Sequence, residues 1–482
     1  MAAVEMDMVS GFIQGLELAL LPINLGLILF GAFLGTMVGA LPGLRSIHAV
    51  AVMLPIAYAL ELPVETTLIF LLTIYYGCEY GGRIETILSN GTKEEISTQL
   101  MATGISSFCG ALISIFGLVF ILSTLQLLQI NLGPGEYFAL VIFAFAALTF
   151  RAWARPLKTL LSTCIGLMLA TIGIDSTTGV LRFTMGQPEL YDGIEFTTVI
   201  LGLFVVSEIF ILMDNTKHTP ALSIHVDPVK IDWATISASR WTILRSGLVG
   251  FLIGILPGSG TIVASDVSEQ LERQKSTHEL TIKQKILIAR ETANNAAAGG
   301  TVAPLLALGI PGSGTGAILL GALLLYNITP GPNLMNQQTE LVWGLIVAAA
   351  IGNLILLIFN LPLIDLFAKL NAIPSLLLTS CLLVLAFISC FSTQSSSISL
   401  LLMILVGLFG YLLQKWHYPL VPLLLGFVLG DLMENNLRRA LAISGGDFQI
   451  LFSSAVSKTF WLLSVLVILL SFFWQRWKEK KQ

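Results

Sequence analysis

The sequence predicts an all-α polytopic membrane protein with roughly 10–14 membrane-embedded helices in two inverted repeats, their helices broken by Gly and Pro. Three observations predict it. Of 482 residues, 55% are hydrophobic and 11% charged, with a mean hydropathy of +0.86; soluble domains carry roughly 25% charged residues. Several uncharged stretches are longer than a bilayer is thick. A Gly/Pro motif from the first half returns in the second.

The stretches free of Asp, Glu, Lys and Arg are, in order, 18–44, 96–135, 246–265, 292–339, 341–364, 370–414 and 459–475. One crossing takes about 20 apolar residues, so the longest of these hold more than one span. Helices end where Gly, Pro and Asn cluster, and the shorter runs 137–150, 159–174 and 416–430 add further segments. The chain is expected to divide into a first membrane repeat at 1–215, a polar connection at 216–245, a second repeat at 246–475 and a basic tail at 476–482.

Residues 1–17 hold acids but no Lys or Arg, so no removable signal peptide is expected and the first span stays. The tail carries Arg476, Lys478, Lys480 and Lys481, and a second basic cluster is Arg151, Arg155 and Lys158. The positive-inside rule puts both, and hence the C-terminus, in the cytoplasm and the N-terminus outside. A net charge of -4 without a basic stripe gives no surface for nucleic acid. The five cysteines and five histidines show no metal-ligand spacing, so packing is expected of them, with no metal and no cofactor.

Gly35 to Gly43 reads Gly-x-x-x-Gly-x-Leu-Pro-Gly and recurs at Gly250 to Gly258, an offset of 215 residues. Gly81-Gly82 answers to Gly299-Gly300, and Asn131 to Pro134 answers to Asn371 to Pro374. Three matches in order point to duplication. Duplicated bundles with broken helices recur in secondary transporters, whose sites lie at the repeat interface.

The candidate site follows from the breaks. Non-helical backbone at membrane depth is tolerated only inside protein or against a watery cavity. The stretch from Ala293 through Asn294, Asn295, Gly299, Gly300 and Pro304 to Gly309, Pro311, Gly312, Ser313, Gly314 and Thr315 is expected to interrupt a helix throughout. Freed amides and hydroxyls at Gly312 to Thr315 suit a carboxylate, and the two asparagines suit an anion or a cation. Leu41, Pro42 and Gly43, with Pro257, Gly258, Ser259, Gly260 and Thr261, form the corresponding breaks near one end of each repeat. Close helix packing is the competing role for the glycines.

With Tyr75-Tyr76-Gly77 and Tyr80-Gly81-Gly82, the Leu-Pro-Gly motif resembles the first half of the large subunit of tripartite tricarboxylate transporters. The stretches ILPGSG, ANNAAAGG, LALGIPGSGTGAILLGALLLYNITPGP, RFTMGQPELYDGIEF and LLLGFVLGDLMENNLRRALAISGGD resemble the same family. The resemblance runs from about residue 25 to 450. It implies a secondary carrier of small organic anions in a bacterial inner membrane, coupled to Na+ or H+. It also implies a periplasmic solute-binding protein and a small membrane subunit as partners.

The first half departs from the family pattern. Arg45 replaces a glycine, Arg83 stands where the family usually has Ser, Glu79 and Glu85 add charge, and Ser89, Asn90, Gly91 and Thr92 replace a second Pro-Gly loop. Charges in a membrane pair or face a cavity. Glu79 and Arg83, four apart, are expected to pair within one helix. Arg45 is placed either to grip a substrate carboxylate or to pair with Glu85. Candidate substrate or ion residues in this half are therefore Leu41, Pro42, Gly43, Arg45, Gly81, Gly82 and Asn90. Asp266 and Glu291 are expected at solvated loop ends. No nucleophile–base pair appears in the apolar segments, so no enzyme is expected; a carrier-derived sensor that binds substrate without uptake is the alternative.

Overall fold

The computed structural model describes residues 2–90, 93–128, 132–151, 156–214, 233–258, 260–274, 279–360, 362–370, 373–394 and 396–479. Helices dominate because a spanning segment must satisfy its own backbone polar groups. In chain order they are α1 (Ala2–Leu20), α2 (Pro22–Gly39), α3 (Ser46–Ala59), α4 (Val64–Asn90), α5 (Lys93–Leu128), α6 (Pro134–Arg151), α7 (Pro156–Ala170) and α8 (Phe196–Asp214). There follow α9 (Trp233–Ala238), α10 (Arg240–Ile255), α11 (Gly260–Arg273), α12 (Glu279–Leu308), α13 (Gly314–Leu325), α14 (Leu334–Gln337) and α15 (Thr339–Asn360). The last are α16 (Ile364–Leu370), α17 (Ser375–Gln394), α18 (Ser397–Lys415), α19 (Leu420–Ile443) and α20 (Ala455–Glu479). One small antiparallel hairpin pairs Gly173–Ile174 with Leu181–Arg182.

Among the described residues, α2, α8, α15, α18, α19 and residues 96–126 of α5 are six helices long and apolar enough to cross a bilayer. Seven shorter apolar helices accompany them. The protein is thus an all-α polytopic membrane protein. The long helices α4 and α12, of 27 and 30 residues, belong to neither set. They carry polar side chains that lipid would not accept, and the surrounding helices enclose them.

The chain forms two compact units, one from 1–129 with 212–385 and the other from 130–211 with 386–482. These units cut across the halves 1–215 and 246–475, each taking one stretch from either. The polar connection at 216–245 is described only from Trp233 onward, where it is helical.

In the first unit, two polar helices are each clasped by a motif helix through glycine. A Cβ on Gly39 of α2 would lie 2.2 Å from the Cys78 carbonyl oxygen of α4, and one on Gly81 of α4 would lie 2.3 Å from that of Thr36. In the second clasp, α10 meets α12: a Cβ on Gly250 or Gly254 would come within 2.5 Å of the Ala293 or Ala297 carbonyl oxygen. Such contacts need residues without side chains, the usual route to close helix approach in lipid. The Gly-x-x-x-Gly part of each motif copy therefore positions one polar helix.

In the second unit, α7 crosses α19, with Gly166 against the Leu423 carbonyl and Gly426 against that of Thr163. A π turn at Leu201–Val206 within α8 lies against α18, where Gly407 receives Val206.

Candidate functional site

Each motif helix stops at its Leu-Pro-Gly turn. Gly43 and Gly258 both adopt left-handed backbone, at φ 80° and 71°, a region that side chains disfavour. The chain then re-enters a helix whose first turn carries a hydroxyl, Ser46 on α3 and Thr261 on α11. The third break, after α12, turns at Gly309, at φ 73°. There Ser313 accepts the Gly316 N–H at 3.0 Å and caps α13, with Thr315 in the first turn. The Gly260 N–H donates to the Gly312 carbonyl at 3.3 Å, which ties the second break to the third.

The first two breaks deliver hydroxyls to Glu79 of α4, and the third meets them through Ser46. One carboxylate oxygen, Oε1, accepts from Ser46 Oγ at 2.8 Å. The other, Oε2, accepts from Asn294 Nδ2 at 2.8 Å and from Thr261 Oγ1 at 3.3 Å. Ser46 Oγ lies 3.0 Å from Thr315 Oγ1. One helical turn before Glu79, the Tyr75 hydroxyl meets Thr301 Oγ1 at 3.3 Å and bonds to Ser313. Glu79 and Asn294 stand 215 positions apart, and so do Ser46 and Thr261. That equals the offset of the Leu-Pro-Gly motif.

Burial disfavours a charge at this centre, and the helix ends, hydrogen-bond donors and Arg45 oppose that cost. Helix N-termini carry partial positive charge, and the first turns of α3, α11 and α13 all lie here. Arg45, exposed at the N-terminus of α3, adds a full charge that acts on both Glu79 and Glu85. Ser46 and Thr315 are buried, whereas Glu79, Thr261 and Asn294 keep part of their surface open. Polar atoms both gathered and accessible among apolar helices are the ingredients of a binding site.

Glu79 does not pair with Arg83, contrary to the expectation from their spacing. Arg83 turns toward α5 and is only 1% exposed. It donates to the Tyr80 carbonyl at 3.1 Å and the Leu100 carbonyl at 3.2 Å, with its guanidinium 5.1 Å from the centre of the Tyr80 ring. Nor is the helix interrupted from Asn294 to Pro304, because α12 runs through to Leu308 and only Gly309 to Ser313 break it. Gly299 and Gly300 serve contact there: a Cβ would meet Ser114 Oγ at 2.1 Å and the Phe251 carbonyl oxygen at 2.6 Å. Glu291, expected at a solvated loop end, is buried on α12.

The remaining candidates divide likewise. Leu41, Pro42, Gly43, Pro257, Gly258, Gly260, Pro311, Gly312 and Gly314 build the turns that deliver the hydroxyls. The Gly43 N–H bonds Glu85. Gly81 packs α4 on α2, and Gly82 has more room, its nearest atom being 3.9 Å away. Asn295 is buried with its amide on the Glu291 carbonyl at 3.1 Å. Ser259 and the Asn90 side chain lie outside the described residues. Sequence reasoning missed the role of Glu79, because its partners Ser46, Thr261 and Asn294 lie far from it in the chain.

The second unit holds an ion cluster where the hairpin meets α19. Arg438 donates to both oxygens of Asp175 at 3.1 and 2.8 Å, and Arg182 bonds Glu434 at 2.9 Å. The amides of Thr178 and Thr177, with Arg438, hold the Asp175 carboxyl below the usual carboxylate range. These bonds tie the hairpin to α19.

Comparison with known proteins places the chain in a family. A family described as the tripartite tricarboxylate transporter TctA family matches residues 25–425. An uncharacterized 52.8 kDa protein in the TAR-I ttuC' 3' region of Agrobacterium vitis is 37% identical over 475 residues, covering 94% of either chain. An uncharacterized protein in the TAR-II ttuC' 3' region of the same organism is 38% identical over 225 residues, 46% of this chain and 93% of the relative. No solved structure matches. Family tripartite systems use a binding protein and a small membrane subunit. The match spans both Leu-Pro-Gly copies, the Glu79 centre and the third break, and the chain belongs to the tripartite tricarboxylate transporter TctA family.

Proposed function

We propose that this chain is the large membrane subunit of a secondary carrier that takes up small carboxylates, coupled to a Na+ or H+ gradient. A periplasmic solute-binding protein delivers the substrate, and a small membrane subunit completes the carrier in the bacterial inner membrane, with the C-terminus in the cytoplasm. The observation that carries this reading is the meeting of three helix breaks, the two Leu-Pro-Gly turns and the turn at Gly309, at one donor-rich centre. Broken helices whose N-termini face a shared centre are how secondary transporters hold anionic substrates.

In this scheme Arg45 and the first turns of α3, α11 and α13 receive the substrate carboxylate. The glycine-clasped helices α4 and α12 form the rigid wall behind it. Alternating exposure of the centre to the two sides then moves the anion.

The test is uptake by the reconstituted carrier with its binding protein and small subunit. Labelled mono-, di- and tricarboxylates are offered with and without Na+ and pH gradients. Gradient-dependent accumulation of at least one carboxylate is expected; no gradient-dependent uptake of any would overturn the proposal.

A further inference from the structure

The Glu79 centre is built as an anion cradle, and the protein's own carboxylate fills it. Ser46, Thr261 and Asn294 all donate to Glu79. Three helix N-termini and Arg45 surround it with positive potential. These are the groups that a substrate carboxylate would need. The titratable or charged groups that act on Glu79 are Arg45 from the start of α3, Glu291 from α12, and Tyr75 and Cys78 from its own helix. Arg45 is the single cation among them.

A second carboxylate entering this cradle would bring two like charges to one set of donors. Two carboxylates sharing a site do not both stay ionised, and one takes a proton. A proton on Glu79 ends the repulsion and turns an acceptor into a donor. It also frees Asn294 Nδ2 and Thr261 Oγ1 for the newcomer. The hydroxyls of Ser46 and Thr261 can rotate to accept from the protonated acid, so no buried group is stranded.

We infer that Glu79 is the coupling group of the carrier, an internal carboxylate that holds the anion cradle between cycles and takes one proton as the substrate carboxylate replaces it. The proton moves from water to a Glu79 carboxylate oxygen when the anion binds. It returns to water on the other side when the anion leaves. This inference rests on the carboxylate-carrier function proposed above and assigns H+ as the coupling ion.

The test uses the purified full chain in detergent, with acetate, succinate and citrate as probes. In Glu79→Ala the emptied cradle should bind acetate. Millimolar acetate should then raise its unfolding temperature by several degrees, while the wild type at pH 8 should not respond. For a probe that binds the wild type, affinity should fall about tenfold per pH unit above neutrality, as expected when one proton accompanies each anion. In Glu79→Gln the same titration should be flat.

Acetate acting equally on Glu79→Ala and wild type, wild-type affinity that ignores pH, or a pH slope surviving in Glu79→Gln would each overturn the inference. If Glu79→Ala fails to fold, Glu79→Gln and the wild-type titration decide. Acetate rescue without wild-type binding of any probe would support the cradle and count against the carboxylate-carrier function. Gradient-driven uptake with a flat wild-type pH profile would do the reverse.

Discussion

Gly81 and Gly82 are neighbours on α4 with opposite surroundings, which makes them a matched pair. A Cβ at Gly81 would sit 2.3 Å from the Thr36 carbonyl oxygen and 2.9 Å from the Ala40 amide nitrogen, about 1 Å inside ordinary contact. Both atoms are backbone and cannot swing aside, so α4 must move off α2. Overpacking of this kind costs about 1–3 kcal/mol. At Gly82 the nearest atom is 3.9 Å away, and there Ala brings only its better helix propensity, up to about 1 kcal/mol. Both substitutions gain that propensity, so the difference between them isolates the contact.

Gly82→Ala should therefore unfold at or above the wild-type temperature and Gly81→Ala below it, in parallel thermal scans of detergent-purified protein. The expected separation in stability is about 1–3 kcal/mol. Because Gly81 lies two residues from Glu79, Gly81→Ala should also weaken carboxylate binding. Equal midpoints, or the reverse order, would refute the close α2–α4 approach.

Three further outcomes are expected. Arg83→Ala removes a buried guanidinium with two carbonyl partners and leaves a void beside Gly104; it should cost about 2–4 kcal/mol, read as a lowered unfolding midpoint. Arg45→Gly, at an exposed position, should leave that midpoint within about 0.5 kcal/mol of wild type while lowering carboxylate affinity roughly tenfold, as loss of one charge-assisted contact implies. Unchanged affinity would remove Arg45 from the site. Asp175 is held ionised more strongly in the folded than in the unfolded chain. Its contribution is therefore complete above the unfolded carboxylate value of about 3.9 and is lost only as pH falls through the lower folded value. Amide exchange at Thr177 and Thr178 should therefore not reflect Asp175 titration between pH 5 and 8. Asp175→Asn should speed that exchange throughout the same range.

The helix breaks were legible because Gly and Pro act locally. Leu41-Pro42-Gly43, Leu256-Pro257-Gly258 and Gly309 to Ser313 all turn where their residue types require. The interruption expected from Asn294 to Pro304 failed because glycine has two uses in membranes. Gly299 and Gly300 admit Ser114 and Phe251 to the surface of a continuous helix, and a single chain read alone does not distinguish contact from flexibility. Glu79 was misassigned for a related reason. A partner four residues away is visible in the sequence, whereas Ser46, Thr261 and Asn294 reach Glu79 only through the fold.

The central claim is that an ion gradient drives carboxylate movement through the centre at Glu79. Its most direct test compares accumulation by wild type and Glu79→Gln in proteoliposomes with the binding protein and small subunit present, under an imposed pH gradient. The account predicts that the wild type concentrates a carboxylate above its outside level and that Glu79→Gln does not. Accumulation of equal extent in the two proteins would contradict it.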